Sequence, residues 1–254
     1  MNEGLAHRQQ IERDYHNNRN KVADDRHVTV SMDFADYSYV FYMNLMGQFA
    51  HGRVLDFGCG DGWASIMLAK KGCNVYGIDI SLEMINKARN MAQDLGLSHN
   101  AVFEEMAGEH LTFNDDFFDS VFGSAVLHHT DLDMALNGIH RVLKPGGTGL
   151  FIEPMNQNIL LKMWRAVTPW RRSTAERALT LHEICLIREK FPAARFTYFN
   201  LFSIFSGGLI IIFPKSNLLR QINQVLQNVD EILVKRFPKL GRYCAVVVIE
   251  LVKR

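Results

Sequence analysis

Residues 54–62 read Val-Leu-Asp-Phe-Gly-Cys-Gly-Asp-Gly, an apolar run that gives way to alternating glycines. The first half has the unbroken hydrophobicity of a strand buried on both faces. The second half can turn sharply and bring bare backbone against a ligand, because glycine has no Cβ to collide. A dinucleotide fingerprint, GxGxxG, would need a small residue three places after Gly60, and that place holds Trp63. No lysine follows in the position a phosphate-cradling loop requires, so that reading fails too. Asp79 ends the next apolar run, 19 residues past Gly60, where a carboxylate can accept both hydrogen bonds of a ribose diol.

Outward from this loop, strand-length apolar runs alternate with helical periodicity. Arg53–Phe57, Asn74–Ile80, Ala101–Glu105, Ser120–Ala125 and Thr148–Glu153 read as strands. Ser81 is placed to cap a helix over Leu82–Leu95, with Met84, Ile85, Ala88, Met91, Ala92 and Leu95 on one face. Asp131 is placed to cap Leu132–Leu143, and Lys144-Pro145-Gly146-Gly147 then stops that helix. Such alternation predicts an α/β fold with a doubly wound, mostly parallel sheet and its ligand at the carboxyl ends of the strands. Three regions are expected: a helical N-terminal lid over 1–50, a core over 51–154, and cap elements with the last two strands of the same domain over 155–254. In the last region, Leu181–Lys190 reads as a helix and Arg195–Phe205 as a strand-like run. Ser216–Arg236 reads as an amphipathic helix, and Cys244–Val252 as a buried strand.

The 254 residues carry a formal net charge of +1, which hides a division. Residues 1–154 carry 12 Lys and Arg against 21 Asp and Glu, whereas residues 155–254 carry 16 against 6. The two parts therefore face different things. Cys59, Cys73, Cys185 and Cys244 form neither a CxxC pair nor a disulfide framework, so a reducing, cytoplasmic setting is expected. The histidines show no metal-ligand spacing, and no metal is expected. The apolar run Phe199–Phe213 is too short to span a bilayer.

Val54–Ser65, Tyr76–Ser81, Phe118–Val121 and Arg141–Gly147 together resemble the class I S-adenosylmethionine-dependent methyltransferases, nearest to the quinone and small-molecule branch. The resemblance is strong over residues 50–155 and weaker over Ile11–Asn17. It implies S-adenosyl-L-methionine as cofactor and a seven-stranded sheet whose last strand, here Cys244–Val252, runs antiparallel between its neighbours. It also implies that Gly58 and Gly60 approach the methionine part, that Asp79 holds the ribose and that Ile80 packs on the adenine. Carbonyls near Ala125 would face the cofactor's ammonium, and Asp56 and Tyr15 complete the expected binding set. In Met106-Ala107-Gly108-Glu109 the family usually has Asp or Asn where this chain has Ala107. Glu109 or backbone groups would then meet the adenine edge, unless packing alone holds it.

Methyl transfer is an in-line displacement on a reactive sulfonium, so orientation alone supplies roughly 7–11 kcal/mol. For a hydroxyl acceptor a base adds about 10²–10⁴-fold. His129 and His128, after the fourth strand, are the base candidates; packing beside the cofactor is the alternative reading of both. Glu153 would bind substrate or position a water, or else cap a helix or make a salt bridge. Tyr15, His16 and Arg19 would close over the cofactor from the lid, or else lie on a solvated surface helix.

The acceptor pocket is expected within Met155–Leu240, where Trp164, Trp170, Phe196, Tyr198, Phe199, Phe202 and Phe205 mingle with the basic excess. This suits a hydrophobic small-molecule acceptor, including one bearing an anionic group or a carrier. Peripheral membrane contact and a homodimer both stay open. Nucleic acid is not expected, because the cations are interleaved with core-type residues. Two other functions remain: another reaction on the same fold, such as a cyclisation, and a non-catalytic partner protein.

Overall fold

A computed structural model describes residues 3–22, 37–167, 177–213 and 215–254. The chain opens with helices α1 (Glu3–Val22) and α2 (Tyr37–Phe49). The core follows as β1 (Arg53–Phe57), α3 (Trp63–Lys70), β2 (Asn74–Asp79), α4 (Leu82–Asp94), β3 (Ala101–Glu105), β4 (Phe118–Ser124), α5 (Leu132–Val142) and β5 (Leu143–Pro154). The remainder is α6 (Ile159–Val167), α7 (Leu181–Lys190), β6 (Arg195–Phe199), α8 (Ser203–Ile212), α9 (Asn217–Arg236) and β7 (Val246–Val252).

The strands form one seven-stranded sheet in the order β3-β2-β1-β4-β5-β7-β6. All neighbours up to β5 are parallel, and β7 runs antiparallel to both β5 and β6. The direction of winding reverses between β1 and β4, which puts the ligand crevice at their carboxyl ends. Strand residues alternate between two cores. Leu55, Phe57, Val121, Phe151, Val247 and Ile249 pack with α5 and α7. Val54, Val75, Phe122, Leu150 and Val248 pack with α2, α3 and α4.

The expected caps are present. Ser81 accepts a hydrogen bond from the Met84 N–H and Asp131 one from the Met134 N–H, each starting its helix. Leu95, expected on the inner face of α4, is exposed. Two other expectations are corrected. The helix stops as expected, α5 ending at Val142, but β5 begins at Leu143 rather than Thr148, through an irregularity in its pairing with β4. The strand-like run Arg195–Phe205 is a strand only to Phe199, after which α8 begins at Ser203. Asn200 sits at φ 65°, which turns the chain out of the sheet, and the Asp230 carboxylate accepts the N–H groups of Phe202 and Ser203. A side chain distant in sequence thus caps α8, and no local signal announces it. The amphipathic helix expected over 216–236 is present, and its stripe divides: Leu218, Ile222, Val225, Val229 and Ile232 are exposed, whereas Leu219, Leu226 and Leu233 are half-buried.

Candidate active site

The loop after β1 is tied to β2, because Gly58 and Cys59 both donate to the Ile78 carbonyl, at 2.9 and 2.8 Å. Gly58, Gly60 and Gly62 all have left-handed backbone, at φ 74°, 54° and 84°. A Cβ on Gly58 would run into Val126 and one on Gly62 into Ala88, whereas one on Gly60 would meet nothing within 4 Å. Two glycines therefore serve packing, and Gly60 faces the open crevice. Its N–H donates to Asp79 Oδ2 at 3.0 Å, while the Ser81 N–H donates to Oδ1 at 2.9 Å. Each Asp79 oxygen keeps a further lone pair for a ligand hydroxyl.

This end of the crevice is acidic. Asp56 is buried and accepts the Ser65 hydroxyl at 2.6 Å. Burial pushes its carboxyl up to about 6, with Asp79 and Asp61 adding to the rise and Ser65 opposing it. Burial also raises Asp79, against the hydrogen bonds from Ser81 and Gly60 and the nearby His129. A ligand with positive charge beside a ribose diol would relieve both carboxylates. S-adenosyl-L-methionine carries a sulfonium, an ammonium and that diol, so the residues present fit it.

The adenine end departs further from expectation. Ile80 is half-buried, and its carbonyl accepts Arg13 Nε of α1 at 3.2 Å. Ala107 is half-buried, and Gly108 lies against the Phe57 ring where a Cβ would collide. The Glu109 carboxylate is taken by Arg8 at 2.8 Å, Gln9 at 3.1 Å and the Asp131 N–H at 2.9 Å. Glu109 is therefore a tether for α1 that also braces the start of α5. Asn17 of α1 accepts the Ser81 hydroxyl. Tyr15 lies half-buried on the same helix; the side chains of His16 and Arg19 lie outside the described residues. In effect α1 lies across the Asp79–Ile80–Glu109 edge, held by polar links.

Beyond β4 the chain bends at Ala125, which takes φ 52° and donates its N–H to the Ile152 carbonyl. Glu153, for which a substrate or water contact and a capping or salt-bridging role were equal expectations, is 1% exposed. Its Oε1 accepts the N–H groups of Val126 and Leu127 at 2.9 and 2.8 Å, and its Oε2 lies 2.6 Å from His128 Nδ1. The reason is local: the loop leaves two backbone donors in the interior, and Glu153 on the neighbouring strand is placed to satisfy them. His128 is consequently sealed against Glu153, with 3% of its side chain exposed. His129 lies on the other side, 3.0 Å from Glu12 Oε2 of α1 and in the electrostatic range of Asp79. Of the two base candidates, His129 is the one beside the cofactor crevice.

Sequence reasoning missed Glu12 and Tyr42. Tyr42 is buried on α2 beside Asp56 and Glu153, and burial pushes its phenol well above the ordinary value. Its only signal was membership of the aromatic run 37–42.

A cavity of about 880 Å3 lies at the other end of the sheet, around the edge strand β6. Tyr37, Phe41 and Phe199 supply an aromatic wall, with Phe199 5.8 and 5.2 Å from the other two ring centres. Arg188, Lys239 and Arg242 line it as well, and none has a carboxylate partner among the described residues. Of its acids, Asp230 caps α8 and Glu231 pairs with Lys235. β6 runs parallel to β1–β5, so Phe199 and Asn200 lie at the same edge of the sheet as the glycine loop. His128, His129 and Glu153 do not line this cavity. Trp170 and the Trp164 side chain, also expected at the acceptor, lie outside the described residues.

Residues 55–151 match a family model described as a methyltransferase domain. A ubiquinone/menaquinone biosynthesis C-methyltransferase of Vibrio vulnificus is 37% identical over 118 residues, 44% of this chain and 45% of that protein. The chain spans less than half the length of this and the other curated relatives it matches. Among solved structures, geranyl diphosphate C-methyltransferase from Streptomyces coelicolor A3(2), bound to S-adenosyl-L-homocysteine, has a TM-score of 0.60 at 13% identity. The alignment covers 92% of this chain and 85% of that one. The [4+2]-cyclase SpnF has a TM-score of 0.57 at 18% identity, covering 84% and 80%. At these identities the structural likeness concerns the fold.

Proposed function

Residues 55–151 are a class I S-adenosylmethionine-dependent methyltransferase domain whose cofactor is S-adenosyl-L-methionine, and from that premise we propose that this chain methylates a hydrophobic small molecule bearing an anionic group. The cofactor supplies an activated methyl on a positive sulfur. Asp79 binds the ribose, the open face of Gly60 admits the methionine part, and α1 closes the adenine end against water. Glu153 positions the loop after β4 through its two backbone bonds and keeps His128 in place. His129 is the residue for taking a proton from a hydroxyl acceptor, with Glu12 orienting its ring.

The observation that carries the acceptor class is the β6 cavity, with its aromatic wall and with Arg188, Lys239 and Arg242, which have no carboxylate partner among the described residues. Apolar surface there would hold the body of the acceptor and the cations its anionic group. The test is formation of S-adenosylhomocysteine with paired acceptors that differ only in the anionic group. We expect turnover with the charged member of each pair and a large rise in KM when Arg242 is replaced by Gln. Equal turnover of both members would overturn the acceptor class. Cofactor binding by calorimetry without any S-adenosylhomocysteine formed, while the acceptor is altered, would favour a reaction other than methyl transfer.

A further inference from the structure

α9 carries an apolar stripe on its solvent side. Its outermost stripe is Leu218, Ile222, Val225, Val229 and Ile232, spaced four and three residues apart, and Arg236 continues it by one turn. Leu218 and Ile232 are each 66% exposed. The face turned to the protein is mixed: Leu219, Leu226 and Leu233 are half-buried on it, beside Asp230, the one buried residue of the helix, which caps α8, and Asn223, which accepts the Ser206 hydroxyl at 2.7 Å. The outer stripe is therefore a second apolar surface, which a helix with only its own core to cover does not need. The exposure continues onto the neighbours, since α8 packs on α9 and α6 on α8. Phe202, Phe205 and Phe213 at α8, Ile159 and Met163 on α6, and Phe237 after α9 are all exposed as well. Contiguous apolar surface of this extent marks a docking face.

Charge decides what docks. The exposed cations of these elements include Lys162, Lys215, Arg220, Lys235, Arg236 and Lys239. Lys235 pairs with Glu231, while Lys162, Lys215, Arg236 and Lys239 have no carboxylate partner among the described residues. A second copy meeting this face by two-fold symmetry would press two basic caps together. An anionic surface meets both the apolar stripe and the charge. The acidic first 154 residues would then point away from it, which sets one orientation. Among the described residues no helix is long and apolar enough to cross a membrane, so α9 would lie in the interface plane. We propose that the α6–α8–α9 face docks on an anionic phospholipid surface.

The full chain should co-sediment with phosphatidylglycerol-containing vesicles and roughly tenfold less with phosphatidylcholine alone, the difference shrinking as salt rises. Replacing Val225 and Ile232 together by Glu should weaken that binding by about tenfold or more while thermal unfolding and cofactor affinity stay unchanged. Absence of binding to the anionic vesicles at low salt overturns the proposal. So does binding that V225E/I232E leaves intact, which would be diffuse charge attraction only. Light scattering without lipid should show a monomer; a dimer that the same substitutions dissociate would assign the face to a second copy instead.

Discussion

α5 and α9 carry nearly the same message in sequence and opposite fates in the structure. In α5 the stripe Leu132, Ala135, Leu136, Ile139 and Val142 is buried to the last residue. In α9 a stripe of five residues faces outward, while Asp230 and Asn223 bond the helix to its neighbour beside the half-buried Leu219, Leu226 and Leu233. Periodicity defines a face; it does not say what the face meets. The core helix spends its whole apolar stripe on packing, whereas the cap helix packs a few leucines, adds hydrogen bonds to its neighbour and leaves a second stripe outside.

This difference breaks first under truncation. Leu136→Ala should cost about 2–5 kcal/mol in chemical denaturation, because it opens a cavity under the sheet. Ile232→Ala should lie within about ±0.5 kcal/mol, since nothing packs over it in the isolated chain. Equal costs would mean that α9 is covered in solution.

The second contrast is electrostatic. Asp56 is buried with its carboxyl raised to about 6, so the folded chain holds a proton there that the unfolded chain has lost. Its contribution to stability is fully present below about pH 3.8 and is lost as pH rises through 6, a swing of roughly 3 kcal/mol. Asp56→Asn, which can still accept the Ser65 hydroxyl, should lack that swing. The measurement is the stability difference between variant and wild type from pH 4 to pH 8, with the variant gaining on the wild type as pH rises. No exposed carboxylate of the cap should behave this way.

Much of the core was legible because its signals are local. The Val54–Gly62 run, the Ser81 and Asp131 caps and the strand ends each follow from a few neighbouring residues. Parallel strands buried on both faces also announce themselves by composition. What stayed hidden depends on partners distant in sequence. Glu153 reads as a crevice acid until the loop after β4 presents two N–H groups to it. Glu109 reads as an adenine acceptor until Arg8 and Gln9 reach it from 100 residues away. The start of α8 is set by Asp230, 27 residues later than the N–H it accepts from Ser203. The direction of the α9 stripe follows from that same bond.

Cofactor binding sharpens the division between core and cap. Asp79→Asn keeps one acceptor oxygen but loses the charge, and bonds to a charged acceptor are worth roughly 1.5–3 kcal/mol. Cofactor affinity by calorimetry should fall about ten- to a hundredfold. Arg242→Gln in the cap should leave that affinity unchanged and act on the acceptor alone. A comparable loss from both would show that the β6 cavity and the glycine loop bind as one site.

The smallest expected effect tests how tightly the core holds its loop. Ala125 adopts φ 52°, a left-handed conformation that costs an alanine roughly 1–2 kcal/mol relative to its preferred regions. The strain persists because the Ala125 N–H is bonded to Ile152 and the next two N–H groups to Glu153, so three bonds fix the bend. Ala125→Gly would remove the Cβ clash and add unfolded-state entropy, terms of opposite sign and similar size. The net should be a gain in stability below about 1 kcal/mol, read from denaturant midpoints. Adding Glu153→Gln should turn that gain into a loss, because glycine without the brace leaves the loop free to leave its bend. If A125G still stabilises in the E153Q background, the bend is set by Ile152 alone and the Glu153 carboxylate serves only His128.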